Sequence, residues 1–186
     1  MKIIIIISLL IFLTTIGFSQ IPTDTINFNN VNIKLLTELI TKKCDTKRVE
    51  LGNEPLVYEK ITYEAAKYQS ECMSKKNLGI THENNTSYNN VLLQTPTDRV
   101  GYFNKKYNND FSFTGEIIAL LYLNKETYNS LSDLIIDGFM KSDTHRFIMT
   151  KIKSSNNIKR YGAFAVAYNI IDKSFYVTGV FTSKYE

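Results

Sequence analysis

Apolar residues recur at helical spacing in three long stretches. Val31 to Arg48 places Val31, Leu35, Leu36, Leu39, Ile40, Lys43 and Cys44 on one stripe at intervals of three and four, which predicts a helix. Gly52 and Pro55 break it, and Pro55-Leu56-Val57-Tyr58 reads as a short extended link. A second helix is predicted from Glu59 to Lys76, with Ile61, Ala65, Tyr68, Cys72 and Met73 on its apolar face. Its neighbouring alanines, Ala65 and Ala66, allow close packing. Asn77-Leu78-Gly79 is a stop signal, since glycine supplies a left-handed residue, and Lys75 and Lys76 complement the helix dipole there. A third helix is predicted from about Glu126 to Lys141, filled on one side by Leu131, Leu134, Ile135, Gly138 and Phe139. Asp133 and Asp137 fall nearly opposite that stripe and read as a solvated face.

Between the second and third helices the pattern is weaker. Asn84 to Gln94 is polar and predicts no defined element. Thr95-Pro96-Thr97-Asp98 reads as the cap of a short helix ending near Phe103. Phe111 to Leu120 runs from mixed to apolar and carries a carboxylate, Glu116, at a position that burial would claim. After a polar loop from Lys151 to Lys159, Tyr161 to Tyr168 and Ser174 to Thr182 alternate as strands. Asn169 to Lys173 joins them into an antiparallel hairpin. Ala163, Ala165 and Ala167 alternate with larger residues, so helices can approach one face closely.

The N-terminus changes the picture of where the protein works. Lys2 precedes an apolar run from Ile3 to Leu13, and small residues Gly17 and Ser19 lie before Gln20. This is the pattern of a secretory signal peptide over residues 1–19, and the run is shorter than the ~20 residues of a spanning helix. Cleavage after Ser19 or Gln20 leaves a loose segment over residues 20–30 and one domain over residues 31–186. No membrane span is then expected, and the location is secreted, extracellular or periplasmic. Loss of Lys2 lowers the formal net charge of +4 by one. The remaining lysines pair only as Lys42-Lys43, Lys75-Lys76 and Lys105-Lys106, which is no nucleic-acid footprint. Export permits a bridge between Cys44 and Cys72, although both positions also suit small buried apolar residues.

The chain has two histidines, His82 and His145, each at or just beyond a predicted helix end. Such a histidine is anchored by the scaffold yet open to a cleft, a placement suited to metal binding or proton transfer. The motifs around them occur in a telling order. Asp45-x-x-Arg48 is followed by Gly52 and Leu56, then Ile61-x-x-x-Ala65, then His82. Gly115-Glu116 opens an apolar strand, Phe139-x-x-Ser142-x-x-His145-Arg146 follows, and Gly162 lies in a terminal hairpin that reaches Phe181. In this order the chain, from Val31 to Thr182, resembles the CAP superfamily, also called SCP-like: cysteine-rich secretory proteins, antigen 5 and pathogenesis-related 1 proteins. The bacterial extracellular branch is the nearest in pattern.

The resemblance implies an α+β protein: a three-layer α/β/α sandwich with a mostly antiparallel central sheet and a cleft. It implies that His82, Glu116 and His145 line that cleft and hold a divalent metal such as zinc. Relatives with Trp-x-x-Glu before the second histidine have an acid where this chain has Ser142, and Phe139 replaces the tryptophan. Three cleft residues are therefore carried over, with Asp143 and Glu83 as the local carboxylates for a fourth. The usual Gly-Glu-Asn is Gly-Glu-Ile, so Ile117 is expected to make the site drier. Two imidazoles and a carboxylate would suit zinc with a water in the fourth position, and equally copper or nickel. In the metal-free alternative Glu116 bonds a histidine and stabilises the cleft floor. No general base is evident for zinc hydrolysis, and Ser142 reads as a cap and not as a nucleophile.

The resulting expectation is a secreted monomeric binding module, with lipid, sterol or a protein partner as the family precedents. A metal-dependent extracellular hydrolase or peptidase is the alternative. The 12 Tyr and 11 Phe would line an apolar groove or fill a core, and core is the commoner use.

Overall fold

The computed structural model describes residues 20–76, 79–123, 125–151 and 158–185. The expected signal peptide lies outside them. Helix α1 spans Ile33–Glu50 and starts where the Asn32 side chain accepts the Leu35 N–H at 3.0 Å. It ends before Gly52, whose φ of +76° is the left-handed value that glycine adopts without strain. Helix α2 spans Lys60–Lys76. A two-residue hairpin, β1 (Ser87–Tyr88) with β2 (Val91–Leu92), then occupies the polar stretch that predicted no element. Asn89 and Asn90, both at positive φ, make its turn.

Helix α3, Pro96–Tyr107, carries the expected cap at Thr95, reciprocated by Asp98, and runs a turn longer than expected. Strand β3 is Ser112–Tyr122, and helix α4 is Tyr128–Lys141 with Thr127 as its cap. A short helix α5, Asp143–Arg146, continues into a π turn, Phe147–Lys151. Strands β4 (Ile158–Asn169) and β5 (Ser174–Tyr185) close the chain as a hairpin.

The main sheet is antiparallel in the order β3-β5-β4. Past the irregularity between Phe113 and Gly115, strand alternation sends odd residues of β3 and β5 to one face and even residues to the other. Ile117, Phe164, Val166, Phe175, Val177 and Phe181 pack with α1 and α4. Ala165 and Val180 pack with Ile61, Ala65, Val100 and Phe103 of α2 and α3. The fold is therefore the expected α+β sandwich, with helices on both faces of an antiparallel sheet. Small side chains set the α2 spacing. The Ser70 hydroxyl on α2 reaches both the Ala165 carbonyl at 3.1 Å and Thr178 Oγ1 at 2.9 Å, contacts that a larger strand residue would block.

Three expectations change. Residues 20–30, read as loose from their polarity, are tied to the start of α4. Ile26 is buried and donates its N–H to Glu126 O at 2.9 Å, and Asn129 donates to Pro22 O at 2.8 Å. Cys44 belongs to the α1/α4 core and Cys72 to the α2/α3 core, so the sheet lies between them and both thiols are free. Burial pushes the Cys44 thiol up to about 12, which leaves it a small inert core residue. Ile117 is fully buried in the α1/α4 core and faces away from the Glu116 side of β3. No helix among the described residues is long and apolar enough to cross a membrane.

One glycine is set by the core and not by a turn. A Cβ on Gly179 would lie 2.7 Å from Cε1 of Phe164 and 3.0 Å from Cγ1 of Ile117. Gly179→Ala is expected to destabilise the protein by about 1–3 kcal/mol through overpacking. Chemical denaturation of the mature chain checks this, and an unchanged midpoint would contradict the close packing described.

Candidate functional site

His82 stands in the loop after α2, and buried amides hold that loop in place. Gln69 of α2 donates to the Thr81 carbonyl, and Asn84 Nδ2 donates to Gln69 Oε1 at 2.6 Å. Asn84 also donates its N–H to Gln94 O at 3.1 Å, tying the loop to the segment before α3. The His82 side chain is 47% exposed, and its Nδ1 lies 3.0 Å from Glu116 Oε1. Glu116 faces the α2/α3 side of β3 with a side chain 1% exposed.

Arg99 of α3 completes the arrangement. Its side chain is fully buried, and Nη2 lies 2.9 Å from Glu116 Oε1 and 2.8 Å from Oε2. The same nitrogen donates to His82 O at 3.0 Å, and Nη1 donates to Gln94 O at 3.1 Å. One guanidinium thus binds the carboxylate and both flanking loop segments. A carboxylate held this way accepts, so His82 Nδ1–H donates to Glu116.

His145 approaches from the other face of the sheet. Ser142 caps α5 by accepting the His145 N–H at 3.4 Å, which is the capping role read from the sequence. Phe139 meets the imidazole edge to face, with centroids 5.4 Å apart. Gly115 lets the segment after His145 settle against β3, because a Cβ there would lie 2.6 Å from Cγ2 of Ile148. Since β3 is an edge strand, segments from both faces reach it: the His82 loop at Glu116 and the segment after His145 at Gly115. Burial, and secondarily the His82 charge, hold the His145 pKa below its ordinary value.

The structure joins His82 to Glu116 directly and sets His145 within electrostatic reach of His82. It does not bring in a second acid. Asp143 is 91% exposed and paired with Arg146, and Glu83 is exposed. Among the described residues no three His, Cys, Asp or Glu side chains are grouped to hold an ion. The three residues expected to hold zinc thus do not fit a three-ligand site as they stand, since the Glu116 carboxylate is taken by Arg99. Arg99 is the residue that the sequence reading passed over. Its signal was there: it lies four residues before buried Phe103 and next to buried Val100, a charge on the apolar stripe of a short helix.

A separate groove of about 1100 Å³ runs along α1 and opens at the β4 edge. Ala163 and Phe164 form its floor, Tyr58 and Tyr63 one wall, and Ile33 and Val49 the two ends of the helix side. The exposed side chains of Lys34, Glu38 and Lys42 make a polar rim. None of His82, Glu116 or His145 lines it.

No family model and no curated protein matches the sequence. Solved structures do. The chain is similar to an outer surface protein from Borrelia burgdorferi, at 17% identity and a TM-score of 0.56, over 84% of this chain and 97% of that one. It is also similar to an extracellular SCP-domain protein from Bacillus anthracis, at 19% identity and a TM-score of 0.50. That match covers 80% of this chain and 42% of the other. The chain has the CAP/SCP fold. Within this CAP/SCP fold, the His82–Glu116–Arg99 cluster lies at the β3 edge of the sheet and the α1 groove at the β4 edge.

Two outcomes follow from the cleft. Arg99→Met would leave the Glu116 charge buried without a partner and is expected to cost about 3–5 kcal/mol in denaturant unfolding. A loss no greater than that of a surface substitution would show that the pair is not the strut described. For His145, the unfolded chain takes up its proton at higher pH than the folded chain. The stability this imidazole contributes is therefore present above its unfolded pKa and lost as pH falls through the folded one. Wild type is expected to lose more stability than His145→Gln between about pH 7.5 and about pH 5.5. Equal losses would contradict the assignment.

Proposed function

We propose that this protein is an extracellular binding module that takes a ligand with an extended apolar body and a polar head, a lipid or sterol, in the groove along α1. The groove carries the reading. It follows a helix of 18 residues, about 27 Å long, and combines an aromatic and aliphatic interior with a charged rim. Val49 and Tyr58 are 55% and 61% exposed, and apolar surface of this kind beside a concave wall favours a ligand over bulk water. Export is supported by the N-terminal pattern of Lys2 and Ile3 to Leu13, and by the surface and extracellular descriptions of the two structural neighbours.

The test is titration of the mature chain with a fluorescent fatty acid and a fluorescent sterol. Thr41→Trp fills the middle of the groove from a half-buried helix position. It is expected to weaken binding at least about tenfold while leaving the melting temperature unchanged. His82→Ala and His145→Ala are expected to leave lipid affinity unchanged, because neither residue lines the groove. Absence of saturable uptake by wild type would sink the proposal. Zinc-dependent turnover of peptides or esters, lost in both histidine variants, would establish the hydrolase alternative instead.

A further inference from the structure

We infer that Arg99 is the resident cation of the histidine cleft, and that it closes Glu116 to a metal ion. Two observations support this independently of the groove. First, Arg99 Nη2 lies within 2.9 Å of both Glu116 oxygens, and His82 Nδ1 takes a further position on Oε1 at 3.0 Å. A carboxylate offers about four acceptor sites, so three are filled. The fourth is on an oxygen beside the buried guanidinium, in a side chain 1% exposed. A zinc ion at the usual ~2.0–2.2 Å from that oxygen would lie against a buried positive charge.

Second, the imidazole is turned the wrong way for Glu116 to share an ion with it. Nδ1 faces the carboxylate, so the nitrogen left for a ligand is Nε2, across the ring. Glu116 thus occupies the position from which a carboxylate orients a histidine, and not the position of a co-ligand. Arg99 is a positioning residue. It pairs with the Glu116 carboxylate and ties the His82 backbone at 3.0 Å, so the ring stays turned with Nδ1 on Glu116.

Cobalt titration followed by visible absorption tests this, since four-coordinate Co²⁺ gives strong d–d bands that six-coordinate aqueous ion does not. The wild-type mature chain is expected to show no one-to-one Co²⁺ uptake. Arg99→Gln removes the charge, frees the carboxylate and releases the His82 carbonyl that Arg99 holds, so the ring can turn to share an ion with Glu116. It is expected to gain a one-to-one site that disappears in the Arg99→Gln/Glu116→Gln double variant. Zn²⁺ should then raise the melting temperature of Arg99→Gln and leave that of wild type unchanged. If Arg99→Gln is unfolded alone, recovery of its circular dichroism on adding Co²⁺ supports the inference. One-to-one Co²⁺ binding by wild type overturns it, as does a folded Arg99→Gln that binds no metal. Wild-type titration decides the matter if the variant does not fold under any condition. Lipid uptake in the α1 groove is unaffected by any of these outcomes, so the two proposals fail separately.

Discussion

A single buried ion pair sets the geometry of one side of this molecule. Arg99 and Glu116 are each withdrawn from water, an expensive arrangement unless every lone pair and proton nearby is used. Here most are. The guanidinium reaches the carboxylate, the His82 carbonyl and the Gln94 carbonyl, while His82 donates to the carboxylate. Helix α3, strand β3, the loop after α2 and the segment before α3 therefore have one register relative to each other. Gln69 and Asn84, both buried, extend the same network into α2.

On the opposite face the constraints are steric. Gly115 and Gly179 leave no room for a Cβ, and each hole is filled by a partner, Ile148 or Phe164. Gly115 and Glu116 are adjacent yet serve different faces of β3, because strand residues alternate. One admits the segment that follows His145, and the other holds His82. The motif works as a pair because it lies on an edge strand, where segments from both faces can meet. Phe139 and Ser142 then fix the His145 ring and its turn from the α4 side.

The two edges of the sheet differ in chemistry. The β3 edge carries an imidazole hydrogen-bonded to a carboxylate that is paired with a buried guanidinium. The groove at the β4 edge has volume and apolar surface and no titratable centre from the cleft.

Much of this was legible from the residues in order. Spacings of three and four marked α1, α2 and α4, Thr95 and Ser142 declared themselves as caps, and alternation marked the β4–β5 hairpin. The order of His82, Gly115-Glu116 and His145 pointed to the fold. These features rest on local periodicity and local hydrogen bonding, which a linear sequence records. The β1–β2 hairpin was missed because two-residue strands have no period to read. The tie between residues 20–30 and α4, the separation of Cys44 from Cys72, and the burial of Ile117 depend on which face of the sheet each element covers. Most of all, the partner of Glu116 was decided in three dimensions. Arg99 lies seventeen residues away on another element, and only packing of α3 against β3 brings its guanidinium to the carboxylate.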